Sequence, residues 1–273
     1  MKPKRLTPAF SMLELIFVIA ILGIVASIGA EMIAKVYDGY IVQRAEHKAT
    51  TKTELAATQI ANRLASAIPG TVYRVRTNTT LEAIDSDFPS GVVGTDYKGI
   101  QWVGSDTDSF AATTPPGWSG FIDVDDPANA PTTLSTPGSD LGTTSTIINN
   151  LSASTPAPKI YFPYDLNEYN ASSISGTTIS LSGSGASHIV EHYKLAWTSY
   201  ALVVENDGHL YLYYDFPAIP ATNMNSATSS RLLTNVNTFK FKGEGRTIRF
   251  KICKEEQIGD SHSISACKEK AVF

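Results

Sequence analysis

The stretch FSMLELIFVIAILGIVASIGA, residues 10–30, decides the fold, because it is predominantly apolar and contains a single charged residue, Glu14. As an α-helix, 21 residues extend about 31 Å, which is enough to cross the hydrocarbon core of a bilayer. Three basic residues precede it, Lys2, Lys4 and Arg5. Basic flanks stay on the cytoplasmic side. The sequence therefore predicts a single span at about 10–30, with the rest of the chain on the far side of the membrane.

Glu14 is the informative residue of this span. A carboxylate near the bilayer centre costs roughly 2.5–3.5 kcal/mol, so a plain signal peptide or anchor gains nothing from it. A partner must make the charge favourable, and an amine from another chain is one candidate. The alternative is an ordinary signal peptide, with Ser27-Ile28-Gly29 supplying small residues for cleavage. That alternative leaves Glu14 unexplained.

The N-terminus resembles the signal of type IV pilins and type II secretion pseudopilins. In that family a short basic leader ends at a small residue, cleavage exposes a Phe that becomes N-methylated, and a Glu is the fifth residue of the mature chain. The resemblance places the leader at 1–9, the cut between Ala9 and Phe10, the methylated amine on Phe10 and the assembly glutamate at Glu14. Ala9 departs from the usual Gly. The motif covers roughly 20 of the 273 residues.

The resemblance implies a structural subunit of a type IV pilus or type II secretion pseudopilus, not an enzyme. Its partners would be a prepilin peptidase/methyltransferase, other pilin or pseudopilin subunits and the bacterial inner membrane, with the head in the periplasm. The segment 231–241 is similar to one in minor J-type pseudopilins, which favours a minor subunit. A pilus, a secretion system and a DNA-uptake system all remain open. The rival hypotheses are a signal-anchored periplasmic binding protein or enzyme, and an adhesin that displays a Ser/Thr-rich insertion.

Helical periodicity continues beyond the span. Ile33, Val36, Tyr37, Tyr40 and Ile41 recur at helical spacing, and after a polar patch at 43–53 an apolar stripe resumes with Leu55, Ala56, Ile60, Leu64 and Ile68. Pro69-Gly70 is a stop signal. A helix over 10–68 would be about 88 Å long, more than a compact domain can bury. The sequence predicts a protruding first half and a packed second half.

The remainder, 69–273, predicts a β-rich head, so the fold class is α+β with an antiparallel sheet. Short strands are expected at 72–76, 121–124 and 160–162. Two hairpins are expected: 193–205 with 210–216 around Asn206-Asp207-Gly208-His209, and 236–242 with 247–254 around Gly243-Glu244-Gly245. An insertion at about 104–190, rich in Ser, Thr, Gly and Pro, is expected on the surface; it is loop-like at about 104–158, and the short strands at 121–124 and 160–162 lie within it.

The chemistry-bearing residues are few. There is no Walker loop, dinucleotide fingerprint or His-Glu-x-x-His helix, so no catalytic residue and no cofactor is expected. Asp123, Asp125 and Asp126 form an acidic run that suits either calcium or a solvated turn. Asn170 begins a glycosylation acceptor, Asn170-Ala171-Ser172. His188 and His192 have i, i+4 spacing, but they precede a predicted strand, so solvated histidines are expected there instead of a metal pair.

The net charge and the two cysteines limit which partners and which cellular compartment are expected. The net charge is −4, which does not favour direct nucleic-acid binding. Cys253 and Cys267, with 13 residues between them, predict a disulfide if the head faces an oxidising compartment, and two reduced thiols otherwise.

Overall fold

The N-terminal helix α1 runs from Met12 to Leu64, 53 residues, or about 80 Å at the usual rise per residue. The structure is a computed structural model. It describes residues 11–77, 80–112, 114–153, 157–163, 165, 167–259 and 262–273. The predicted long apolar helix is therefore present over its described length.

The C-terminal end of α1 comes earlier than the predicted boundary at Ile68. Ala65 is the C-cap, and the backbone after it turns to pair with a strand: Ile68 N donates to Val103 O at 2.9 Å, and Ser105 N donates to Ser66 O at 2.8 Å. These backbone groups hydrogen-bond to the sheet instead of extending the helix. Sequence periodicity gives no sign of that exchange.

Only the second half of α1 is packed. Its buried residues are spaced three and four apart, which places them in one stripe: Ala49, Thr53, Ala56, Ala57, Ile60 and Leu64. The stripe thus begins inside the patch that the sequence marks as polar. Leu55, predicted to belong to it, is 58% exposed.

The other elements follow in chain order. The remaining helices are α2 (Thr107–Phe110) and α3 (Leu141–Leu151), and Gly94–Asp96 forms a 3-10 turn. The strands are β1 (Tyr73–Arg76), β2 (Leu81–Ala83), β3 (Tyr97–Gly104), β4 (Thr133–Ser135), β5 (Lys159–Tyr161), β6 (Tyr169–Ser175), β7 (Thr178–Leu181), β8 (Lys194–Ala196), β9 (Thr198–Val204), β10 (Leu210–Tyr214), β11 (Thr228–Leu233), β12 (Val236–Glu244), β13 (Thr247–Ile258) and β14 (His262–Val272).

Two antiparallel sheets pack on the second half of α1. One has six strands in the order β11-β10-β9-β3-β1-β2, and the other has three in the order β12-β13-β14. The main core gathers Ile60 and Leu64 of α1, Trp102 and Leu202 of the larger sheet, and Phe250 of the smaller one. At Gly99 the strands β3 and β9 come so close that a Cβ would lie 2.1 Å from Leu202 O. The α+β prediction is confirmed.

Both predicted hairpins form, β9–β10 around Gly208 and β12–β13 around Gly245. The strands predicted at 72–76 and 160–162 appear as β1 and β5. The single strand predicted over 193–205 is wrong, because the chain changes sheets at Trp197: β8 pairs with β5, whereas β9 pairs with β3. At 121–124 the structure has only an isolated bridge, between Phe121 and His192.

The insertion is a folded unit, and its interpretation as surface loops is wrong. It contains α2, α3 and a five-stranded antiparallel sheet in the order β4-β7-β6-β5-β8. Its core includes Trp118, Ile122, Leu134, Leu141 and Ile160, all nearly inaccessible to solvent. The Ser/Thr-rich stretch after residue 170 forms the β6–β7 hairpin, with small polar side chains on its exposed face. Asp215 follows β10 in the head, and its carboxylate accepts hydrogen bonds from two donors at the end of α3, Ser152 Oγ and Ala153 N. These bonds connect the insertion to the head.

The C-terminal strand β14 was not predicted, and it joins the cysteines. Cys253 of β13 lies directly opposite Cys267 of β14, and the two form a disulfide. The predicted disulfide is thus present, as a cross-strand bridge on the sheet face that points away from α1. This bridge ties together two strands that hold the helix.

Truncating a buried leucine in the insertion core should lower the stability of the insertion, whereas truncating an exposed leucine on the same helix should leave it unchanged. Leu141 is fully buried and Leu151 is 50% exposed, both in α3. Leu141→Ala should cost about 2–5 kcal/mol of unfolding free energy through the cavity it leaves. Leu151→Ala is the matched control. The measurement is hydrogen exchange of the β6 and β7 amides, and equal protection in the two variants would contradict a packed insertion core.

Candidate membrane and assembly interface

From Leu15 to Ala30, α1 carries no charged residue, and nothing in the described chain covers the first half of this helix. Exposed fractions are 86% for Met12, 60% for Phe17 and 43% for Val42. A helix that is hydrophobic all round belongs inside a protein or a membrane. Within the described residues, α1 is the one helix long and apolar enough to span a membrane. The predicted membrane span is therefore consistent with the structure at this level.

Glu14 lies in the first turn of α1. Ser11 is the N-cap, and its Oγ accepts a hydrogen bond from Glu14 N at 3.2 Å. A carboxylate there is favourable because the helix dipole is positive at its N-terminus. Among residues 11–273, as far as the structure describes them, no side chain forms an ion pair with Glu14. Its carboxylate is thus presented at the tip of an apolar rod. Ala9 and Phe10 lie outside the described residues.

The exposed half of α1 contains three glycines, Gly23, Gly29 and Gly39, and the helix continues through all of them. A Cβ added at any of the three would meet nothing within 4 Å. Packing inside this chain therefore does not require glycine at these positions. Small residues of this kind allow close approach of a second helix in an apolar environment.

Ion pairs fasten the packed half of α1 to the three-stranded sheet. Lys268 and Lys270 of β14 contact Glu54 at 3.2 and 2.9 Å. Glu256 of β13 pairs with Lys254 at 2.7 Å and also with Lys48 of α1. The Lys254 side chain is only 1% exposed, and besides this ion pair its ammonium group donates to Glu255 O at 3.2 Å. We name these six residues the junction.

The pKa values of both junction carboxylates are lowered. The hydrogen bond from Lys270, followed by that from Lys268, holds the pKa of Glu54 below its ordinary value of 4.5. Burial raises the pKa of Glu256, but the hydrogen bonds from Lys254 and Lys48 outweigh burial and leave this pKa below 4.5 as well. A depressed pKa stabilises the fold above the unfolded value and loses that contribution as pH falls through the folded one. The junction is therefore weakest in acid.

The other candidate residues stand apart from this interface. Asp123 Oδ1 accepts from Asp125 N at 3.3 Å, and Asp126 Oδ1 accepts from Ala128 N at 2.8 Å, as expected of a turn. The Asn170 side chain, in β6, accepts a hydrogen bond from Lys159 Nζ. His188 and His192 are both exposed. Across the described ranges, no group of three His, Cys, Asp or Glu side chains is placed to hold a metal ion. Calcium binding and glycosylation stay predictions.

Two features could not be found from the sequence. The junction joins residues about 200 positions apart, such as Lys48 and Glu256, and no local pattern marks them. The second is a groove of about 740 Å³ between α1, the insertion and the six-stranded sheet, with Trp102, Trp197 and Tyr200 on its apolar side and Arg63 and Asp108 on its polar side. Its residues come from six separate segments.

No protein-family model, curated protein or solved structure matches this chain.

Removing the junction carboxylate should destabilise the head. Glu256→Gln leaves the ammonium group of Lys254 buried without its ion pair, so the unfolding free energy should fall by about 3–5 kcal/mol. Glu255→Gln removes the same charge one residue away, from a side chain without an ion pair in the described structure, and should change it by less than about 0.5 kcal/mol. Urea unfolding of the detergent-solubilised chain, followed by tryptophan fluorescence, measures both. Identical midpoints would mean that Glu256 does not support the junction.

Proposed function

We propose that this chain is a membrane-anchored, non-enzymatic subunit of a filament of the type IV pilus or type II secretion pseudopilus kind, as a minor subunit. The observation that carries the proposal is the division of α1: a packed half embedded in a head, and an apolar half, beginning at the cap Ser11, that the head leaves uncovered. A filament core and a bilayer are both apolar surroundings in which such a half can reside. Movement from one to the other is the assembly step.

The proposed sequence of events begins with insertion, with Lys2, Lys4 and Arg5 on the cytoplasmic side and the head in the periplasm. A prepilin peptidase then cuts between Ala9 and Phe10, and the new Phe10 amine is methylated. Cleavage removes a charged leader that would otherwise prevent the end of α1 from entering an apolar bundle, because desolvating those charges is costly. The chain thereby becomes competent to assemble.

Glu14 sets the register of one subunit on the next. Inside the filament its carboxylate neutralises the Phe10 amine of a neighbouring subunit. The low dielectric strengthens that attraction and makes either charge expensive without the other. Subunit stagger is then fixed by the one position at which both charges are paired. Glu14 acts in recognition and not in proton transfer.

The groove beside Trp102 favours a second candidate, a signal-anchored periplasmic binding protein. Its volume falls within the range of small-molecule sites, about 300–1,000 Å³, and it combines aromatic and polar walls. In that case α1 would serve only as an anchor and Met1 would be retained. The state of the N-terminus therefore separates the two candidates.

The mature protein should begin at N-methylated Phe10. Intact-mass and N-terminal peptide analysis of the membrane-extracted chain tests this directly. A chain that still begins at Met1, or one that begins near Ala30, would overturn the filament function. The first result would favour the anchored binding protein, and the second a secreted one.

Glu14→Ala should leave leader cleavage intact but strongly reduce incorporation into filaments, because the Phe10 amine of the neighbour would then be buried without a counter-charge. Glu31→Ala is the matched control, since Glu31 is an exposed carboxylate on the same helix, paired only with Lys35 at 2.7 Å in the described structure. The measurement is the amount of each variant in sheared filament fractions relative to total processed protein. Wild-type incorporation of Glu14→Ala would refute the register role.

A further inference from the structure

The three-stranded sheet has one face turned away from α1, and that face carries four cations close together. Strand alternation places Phe250 and Ile252 in the core and turns Arg249 and Lys251 outward. Lys240 lies directly opposite Lys251, and Lys242 directly opposite Arg249. Cross-strand neighbours are about 5 Å apart. We call these four residues the basic face.

This arrangement does not help the fold. Like charges directly opposite one another destabilise a sheet, and here two such pairs are adjacent. Two carboxylates offset part of this positive charge. Glu244 forms an ion pair of 3.6 Å with Lys242, both side chains being more than 70% exposed, and Glu269 lies directly opposite Lys251. In the part of the chain that the structure describes, Lys240, Arg249 and Lys251 form no ion pair. An external anionic partner would relieve the repulsion.

The same chain carries the complementary charge on its insertion. Residues 104–196, which hold the insertion and its strand β8, contain nine carboxylates and two cations, the buried Lys159 and the exposed Lys194. Four of the carboxylates meet at one edge, because Ile122 N donates to Glu191 O at 2.7 Å and brings Glu191 beside the acidic turn. We call these four the acidic edge: Asp123, Asp125, Asp126 and Glu191. No ion pair joins it to the basic face within the described chain.

The position of the basic face argues against its own membrane as the partner. Lys251 is level with Glu269, beside the lysines that contact Glu54. Glu54 is 24 residues beyond Ala30, about 36 Å along the helix. That is several times the screening length of about 10 Å at 0.1 M salt. A nucleic acid would be repelled by the acidic remainder of the chain and would leave the acidic edge without a partner.

We propose that the basic face of one copy docks on the acidic edge of a second copy of this chain. The two surfaces differ, so the contact is heterologous, and it joins two copies head to tail where they are neighbours. The proposal rests on the filament function and names its partner, with head-to-head contacts that add to those of α1. Salt should weaken it, because both surfaces are exposed.

The test uses full-length copies labelled at the exposed C-terminal Phe273 and reconstituted at low density in neutral-lipid vesicles. Energy transfer between donor and acceptor copies reports association. The measured quantity is the surface density of the protein in the vesicles at which half of the copies are associated. This density should rise at least about tenfold in K240E/K251E, and separately in D125K/E191K. The variant with all four changes restores opposite signs at the contact and keeps the net charge, so it should associate like the wild type. At 1 M salt the wild type should resemble the double variants.

The control is R44E/K52E, which changes the net charge as K240E/K251E does but at exposed sites on α1, and it should not alter association. The proposal is overturned if the four-change variant remains weak, if the control weakens association equally, or if the basic face captures duplex DNA while the heads ignore each other. Energy transfer between heads does not require leader cleavage. A failure of the docking proposal is therefore distinguishable from a retained Met1, because a retained Met1 overturns the filament function alone.

Discussion

The constraint on which the whole molecule depends is an apolar helix that its own head covers along only half its length. Burial of apolar surface is worth roughly 25 cal/mol per Å², so exposing the uncharged stretch from Leu15 to Ala30, about 24 Å of helix, to water is unfavourable. Soluble proteins do not leave patches of that size unoccupied. An uncovered apolar half of this kind suits lipid or a bundle of other helices. Glu14 then becomes the decisive detail, since lipid gives its charge no partner and a helix bundle can.

The packed half of α1 is built for close approach to its sheet. Four of its six buried residues are Ala or Thr, and small side chains allow the strands β13 and β14 to lie near the helix axis. Larger apolar groups, Ile60 and Leu64, reach the core where the second sheet arrives. Charged groups at the margin, from Lys48 to Glu54, hold the register between helix and strands. One helix therefore serves two environments because its sequence changes from large apolar residues to small ones at the point where the head begins.

The sequence predicted what local signals encode. A continuous apolar run with one carboxylate, and turns marked by Asn-Asp-Gly-His and Gly-Glu-Gly, led to the correct helix and to both C-terminal hairpins. It failed where the apolar pattern of a strand is weak and where structure depends on distant pairing. The Ser/Thr-rich insertion read as loops because β6 and β7 expose small polar side chains and bury only a few apolar ones, such as Ile179. The run 193–205 read as one strand because a change of sheet at Trp197 leaves the composition unaltered, and the junction pairs span too many residues for any local pattern.

The disulfide strengthens the part of the sheet that holds the packed half of α1. β14 is an edge strand of its sheet, and edge strands are the ones most readily lost, since they are paired on one side only. Yet β14 also carries Lys268 and Lys270, which contact α1. Cys253 and Cys267 connect this strand covalently to its inner neighbour, on the face that the helix does not occupy, so the bridge adds cohesion without displacing any residue of the junction. A force or fluctuation that pulls on α1 is thus shared by two strands that cannot separate at that position, and the packed half of the helix stays attached to the head.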